Sequence, residues 1–182
     1  MDITVENRAL VVVAGLPGSG KSTLLRRTWA DVPIAVIDTD HIRSWLARVL
    51  PPNIPYAVCR PFVHLVNTTR VLLALLFSSR VVVLHDPATG AATRTVFALL
   101  GALTRRPRHL VWIDCTAEEA LAGQIARGRV LLSWSFARHM RKSPAVRAQL
   151  IAGRTPPGWH SARLVSRETA SAGLKLHVGL AV

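Results

Sequence analysis

The stretch Gly15-Leu16-Pro17-Gly18-Ser19-Gly20-Lys21-Ser22-Thr23 decides the reading of this chain. A glycine, four residues and then Gly-Lys-Ser is the spacing of a phosphate-binding P-loop, and each position has a physical task. Gly15, Gly18 and Gly20 permit positive φ, so backbone N–H groups turn inward where a side chain would block a polyphosphate. Leu16, Pro17 and Ser19 complete the nucleotide cradle. Lys21 is expected to reach the β- and γ-phosphates, Ser22 to ligate Mg²⁺ and Thr23 to hydrogen-bond near the α-phosphate. A helix predicted over 21–30 follows directly, and its unpaired N-terminal amides face the same anion.

Working outward, residues 9–14 (Ala-Leu-Val-Val-Val-Ala) form the continuous apolar, β-branched run that a buried parallel strand requires. Further strands are predicted at 33–37, 80–86 and 110–114, alternating with helices at 41–50, 62–77, 93–104 and 117–126. Pro51 and Pro52 stop the second of the five predicted helices. Two more helical stretches, 133–140 and 144–152, precede short strand candidates at 162–166 and 174–178, one of which is expected to complete the sheet. The pattern predicts one α/β domain over 1–182. Its core, about 9–130, is a P-loop NTPase fold: a five-stranded parallel sheet with helices on both faces and ligands at the carboxyl ends of the strands. Residues 127–182 are expected to supply an Arg-rich lid and the C-terminal completion.

Half the residues are hydrophobic, enough for a full core. Twenty Arg and three Lys against ten acids give a net charge of +13. Such a field attracts anions, nucleic acid among them, although an Arg-rich, Lys-poor composition also follows from a GC-rich genome. Cys59 and Cys115 lack metal-type spacing, the N-terminus lacks a signal layout, and the apolar stretch 71–84 is interrupted by Ser78-Ser79-Arg80. The expectation is a cytoplasmic protein without a membrane segment.

The loop specifies a nucleotide, not a reaction. There is no Asn-Lys-x-Asp guanine-reading motif, because the only lysines are Lys21, Lys142 and Lys175, and no Leu-Ser-Gly-Gly transporter signature. The second strand, expected beside the P-loop strand, closes on Asp38 and Asp40, near where a γ-phosphate would lie. A carboxylate there can orient an acceptor hydroxyl and take its proton, and Arg43, on the same helical face as Asp40, can hold an acidic group of the acceptor. Either Asp can instead cap the helix that starts at His41.

These residues together resemble the polynucleotide-kinase-like and zeta-toxin-like branch of P-loop kinases, small "AAA domain" proteins. The resemblance covers about residues 9–130 and rests on Gly-x-Pro-Gly-Ser-Gly-Lys-Ser-Thr followed by a strand closing on Asp-x-x-Arg. It implies ATP as the nucleotide, Asp40 as general base and Arg43 on the acceptor side, where Asp38 is also expected from its place at the strand end. It further implies Asp86 at the end of the third strand near Mg²⁺, Arg94 facing the active site, and Arg127 and Arg129 as a lid pair. Two departures stand out: Asp86-Pro87-Ala88-Thr89 replaces the family's Asp-x-Thr/Asn, and Arg138 and Arg141 compete with Arg127 and Arg129 for the phosphate-facing role. The expected activity is transfer of the γ-phosphoryl group to a hydroxyl of a nucleic acid or small metabolite. A nucleotide-gated regulator or a simple ATPase are the alternatives.

Overall fold

In the computed structural model, residues 1–39, 56–126, 128 and 133–179 are described. β2 (Leu10–Gly15) is buried at every position, as a central strand must be. It is flanked by β5 (Val81–His85) and β6 (Arg108–Asp114), with β4 (Ile34–Asp38) outside β5 and β7 (Ser161–Ser166) outside β6. All neighbours pair in parallel. Numbered in chain order, the five strands lie 2-3-1-4-5. The expected five-stranded parallel sheet is therefore present, and the strand candidate near 162–166 is the one that completes it. The neighbour of the P-loop strand differs from expectation: β5, which leads into Asp86, lies beside β2, and β4 is the edge strand.

One face of this sheet packs Leu10, Val12, Leu84 and Trp112 against α2 (Tyr56–Phe77), α3 (Ala91–Leu103) and α5 (Ser133–Ile151). The opposite face buries Val11, Val13, Val83 and Val111 against Leu24 of α1 (Lys21–Arg26) and Ala170 of α6 (Arg167–Ser171). A second, three-stranded parallel sheet also covers that face. It is built from β1 (Asp2–Glu6), β8 (Lys175–Gly179) and β3 (Trp29–Ala30) in the order β1-β8-β3. Ile3, Val5 and Leu176 point from it into the shared core. The Asp-Ile-Thr-Val-Glu alternation at residues 2–6 is the local signal for β1.

Two boundaries moved for identifiable reasons. The helix predicted over 21–30 ends at Arg26, because Trp29 N–H bonds the Leu174 carbonyl at 2.8 Å and starts β3. Gly173, at φ +95°, lets the two segments approach: a Cβ there would overlap the Arg27 carbonyl. The two helices predicted at 133–140 and 144–152 are one, α5, which runs through Pro144. Proline cannot donate to the carbonyl four residues back, and Ser143 Oγ donates to that Met140 oxygen instead, at 3.2 Å. α4 (Ala117–Ile125) opens with a Thr116/Glu119 capping box.

Candidate active site

The P-loop follows β2 at the carboxyl end of the sheet and closes into α1. Gly15, Gly18 and Gly20 all have positive φ, 137°, 95° and 107°. The reasons for glycine differ along the loop. A Cβ on Gly15 would stand 2.7 Å from the Ile113 carbonyl, and one on Gly18 would overlap the Ala120 carbonyl of α4, whereas one on Gly20 would meet nothing within 4 Å. Gly15 and Gly18 let the loop pack down onto β6 and α4, and Gly20 leaves open space at the start of α1. Gln124 strengthens the floor by donating its Nε2 to the Pro17 carbonyl at 3.1 Å. Lys21 is buried, and its Nζ donates to the carbonyls of Gly15 and Leu16 at 2.9 and 2.8 Å. The Ser19 hydroxyl is fully buried and has no hydrogen-bond partner. Ser22 and Thr23 lie in the first turn of α1.

Beside this loop, the segment after β5 is held by side chains. Asp86 accepts from Ala88 N–H on Oδ1 at 2.7 Å and from Thr39 Oγ1 on Oδ2 at 2.9 Å. Thr39 is itself fixed by Asn67 of α2, whose Nδ2 donates to the Thr39 carbonyl at 3.0 Å. Arg94 is buried at the start of α3, and its Nη1 donates to the carbonyls of Ala88 and Thr89, each at 2.9 Å. Burial lowers its pKa from the usual value. From the other side His139 Nδ1 of α5 meets Thr89 Oγ1 at 2.7 Å. Arg94 thus lies close to the strand end, where this guanidinium nitrogen braces the loop.

Asp38, at the end of β4, pairs with the buried His85 across the sheet, with Oδ1 2.9 Å from Nδ1. Asp114, at the end of β6, forms a bidentate pair with Arg147 of α5 at 2.7 and 2.9 Å, which raises the arginine's pKa. Cys115 follows it. Burial pushes its thiol up to about 11, against the opposing charge of Lys21. The structure therefore gathers residues 15–23, Asp38, Asp86 and Arg94 at one end of the sheet. Asp40, Arg43, Arg127 and Arg129 lie outside the described residues. Thr39, Asn67, Gln124 and His139 were not singled out from sequence. Thr39, between two acids at a strand end, carried a positional hint, whereas Asn67, Gln124 and His139 carried none.

The residues present fit a nucleotide and a hard divalent cation. The buried, unpartnered Ser19 hydroxyl, the open space before Gly20 and the α1 N-terminus suit a phosphate. The Ser22 hydroxyl and the Asp86 carboxylate are oxygen donors of the kind Mg²⁺ takes. Among the described residues no cluster of three His, Cys, Asp or Glu side chains is placed to hold a metal. Among them, too, no helix is long and apolar enough to cross a membrane.

A parallel sheet ordered 2-3-1-4-5, with this loop after its central strand, is the P-loop NTPase fold. The chain belongs to the AAA domain family, whose model matches residues 10–157. Three solved structures share the fold. The PezAT toxin–antitoxin system of Streptococcus pneumoniae matches with TM-score 0.63 and 14% identity over 92% of this chain and 71% of that one. Chaetomium thermophilum Kti12 in complex with ADP-AlF3 matches with TM-score 0.56 and 15% identity over 88% and 95%. A Sinorhizobium meliloti gluconokinase matches with TM-score 0.51 and 15% identity over 92% and 90%. No curated protein matches the sequence.

Proposed function

We propose that this protein is an ATP- and Mg²⁺-dependent phosphotransferase that moves the γ-phosphoryl group to a hydroxyl. The observation that carries the reading is the juxtaposition of the glycine-built loop with a braced acidic strand end on the neighbouring strand, β5. Phosphoryl transfer asks mainly for positioning and charge neutralisation, and this end of the sheet is organised for both. The loop amides and Lys21 would hold the phosphates, with Lys21 leaving the Gly15 and Leu16 carbonyls to do so. Ser22 and Asp86 would hold Mg²⁺, which would supply neutralisation of the phosphate charge.

Asp40 would orient the acceptor hydroxyl and take its proton. We assign that task to Asp40 and not to Asp38, because Asp38 already carries His85. Asp38 and Arg43 would then shape the acceptor side, with Arg94 holding the loop that lines it. Arg127 and Arg129 would close over the charge that spreads in the transition state. These roles for Asp40, Arg43 and the two lid arginines rest on the resemblance. The polynucleotide-kinase-like side of that resemblance and the net charge favour a nucleic-acid acceptor, and the fold shared with a gluconokinase favours a small hydroxylated metabolite.

The test is ATP turnover with Mg²⁺ over a panel of 5′-hydroxyl oligonucleotides, nucleosides and hydroxylated metabolites, using the native chain, Asp40→Asn and Lys21→Ala. One acceptor class should stimulate turnover. Asp40→Asn should abolish transfer while ATP still binds, and Lys21→Ala should lower kcat by about a hundredfold or more. ATP binding that no acceptor converts into turnover, with Asp40→Asn indistinguishable from the native chain, would replace this reading with a nucleotide-gated switch.

A further inference from the structure

The helices α2 and α3 are apolar on the side that faces away from the core as well as on the side that faces it. At about 100° per residue, Phe62, Leu65, Leu73 and Leu76 fall on one narrow face of α2, opposite the buried Val71 and Leu75. All four are exposed, by 56, 65, 47 and 49%, and Phe77 at the end of the helix by 81%. On α3 the same holds for Val96, Leu99 and Leu103, exposed by 39, 56 and 77% and opposite the buried Phe97, Ala98 and Gly101. The two helices pack side by side on one face of the central sheet, so their outer stripes adjoin. An apolar face belongs in an interior, and on this side the two helices have none; on α2 the exposed Arg70 flanks the stripe beside Leu73 and Phe77.

We infer that this face is the interface of a homodimer, in which α2 and α3 of two copies form a four-helix layer between two central sheets. Three arguments select a second copy. The eight side chains present on the order of 800 Å² of apolar surface, the share that one partner contributes to a standard protein–protein interface and more than a monomer's largest patch usually offers. The outer face of α3, Ala92, Thr95, Val96, Leu99, Ala102 and Leu103, carries no charge. In a chain of net charge +13 it is a face on which two copies can meet without cation opposing cation, and it offers no acid or base to select a charged partner. An isologous contact needs only a patch that matches itself, which paired apolar stripes do. The P-loop lies at the carboxyl end of the sheet and not on this face, so the dimer leaves it accessible.

Light scattering and sedimentation of the full chain across the micromolar range should give twice the chain mass. Leu99→Glu and, on the other helix, Leu76→Glu should each weaken the dimer by about thirtyfold or more, with an unchanged circular dichroism spectrum and unchanged nucleotide binding. A native chain that stays monomeric throughout, or a dimer that both substitutions leave intact, overturns the inference. So does a monomer that floats with phosphatidylcholine vesicles, which would make a lipid surface the occupant. None of these outcomes bears on phosphoryl transfer, which the acceptor panel tests separately.

Discussion

The two loops that meet at the carboxyl ends of β2 and β5 are built in opposite ways. The P-loop takes its shape from backbone: three glycines at positive φ, carbonyls that receive Lys21, and close packing on Ile113 and Ala120 that a single Cβ would prevent at Gly15 or Gly18. The segment after β5 takes its shape from side chains that come from four places in the chain, Thr39, Asp86, Arg94 and His139. It even holds Ala88 at φ 42°, where a β-carbon is unfavourable. An anion-binding nest must present bare N–H groups, so side-chain bracing would obstruct it. A carboxylate that is to be aimed needs that bracing.

The largest effect that follows is on the backbone-built side. Gly18→Ala should cost about 3 kcal/mol or more and abolish nucleotide binding, because the new methyl group collides with the Ala120 carbonyl at a φ alanine rarely adopts. Gly20→Ala meets open space, so it should cost only about 1 kcal/mol of backbone strain while weakening nucleotide binding at least tenfold. Thermal melts and nucleotide titrations of the pair separate packing from phosphate access. Equal stability losses in the two variants would show that strain alone, and not the close approach to α4, sets the requirement for glycine.

On the side-chain-built loop an intermediate effect is expected. Arg94→Met keeps the aliphatic stem but leaves the Ala88 and Thr89 carbonyls without their donor, at a cost of about 2–3 kcal/mol. Nucleotide affinity should change by less than about threefold, since Arg94 holds the Ala88 and Thr89 carbonyls and acts on the P-loop through the neighbouring Pro87 carbonyl, which accepts from Gly15 N–H at 3.1 Å. Unchanged stability with loss of acceptor-dependent turnover would instead return Arg94 to the active-site-facing role that the family resemblance implied.

That contrast also explains what the sequence made legible. The P-loop could be read because its constraint is local: glycine at particular spacings, an apolar run before it and a helix after it. The five-stranded sheet followed from alternation in the same way. Its order did not, since nothing local to residues 34–38 says that β5 will come between them and β2. The three-stranded sheet joins residues 2–6 to residues 175–179, and the brace on Asp86 draws on Thr39 from β4's end and, through Thr89, on His139 from α5. Only the folded chain brings those partners together. Arg94 enters the sequence reading only through the family resemblance, and its burial, which turns it inward onto carbonyls, has no local signature.

The smallest effect expected is chemical, and it asks how firmly the P-loop holds with Gln124 and Lys21 as its side-chain braces. Cys115, just past β6, is partly buried, and its thiol rises from an ordinary 9.0 to about 11. Burial disfavours the thiolate, Glu119 adds to the rise, and the ammonium of Lys21 opposes it. Only the thiolate reacts, so the alkylation rate should climb about tenfold per pH unit and level off near pH 11 rather than near 9. Lys21→Ala removes the opposing charge, raises the thiol further and should slow alkylation at a given pH by less than about tenfold. Peptide-resolved mass spectrometry in a Cys59→Ser background measures both rates. A profile that levels near 9 would mean that solvent reaches Cys115 and that the loop beside it is looser than the packing of Gly15 and Gly18 implies. Faster alkylation in Lys21→Ala would assign the loop's closure to the lysine's two hydrogen bonds, and the backbone-built loop would then also depend on a side chain.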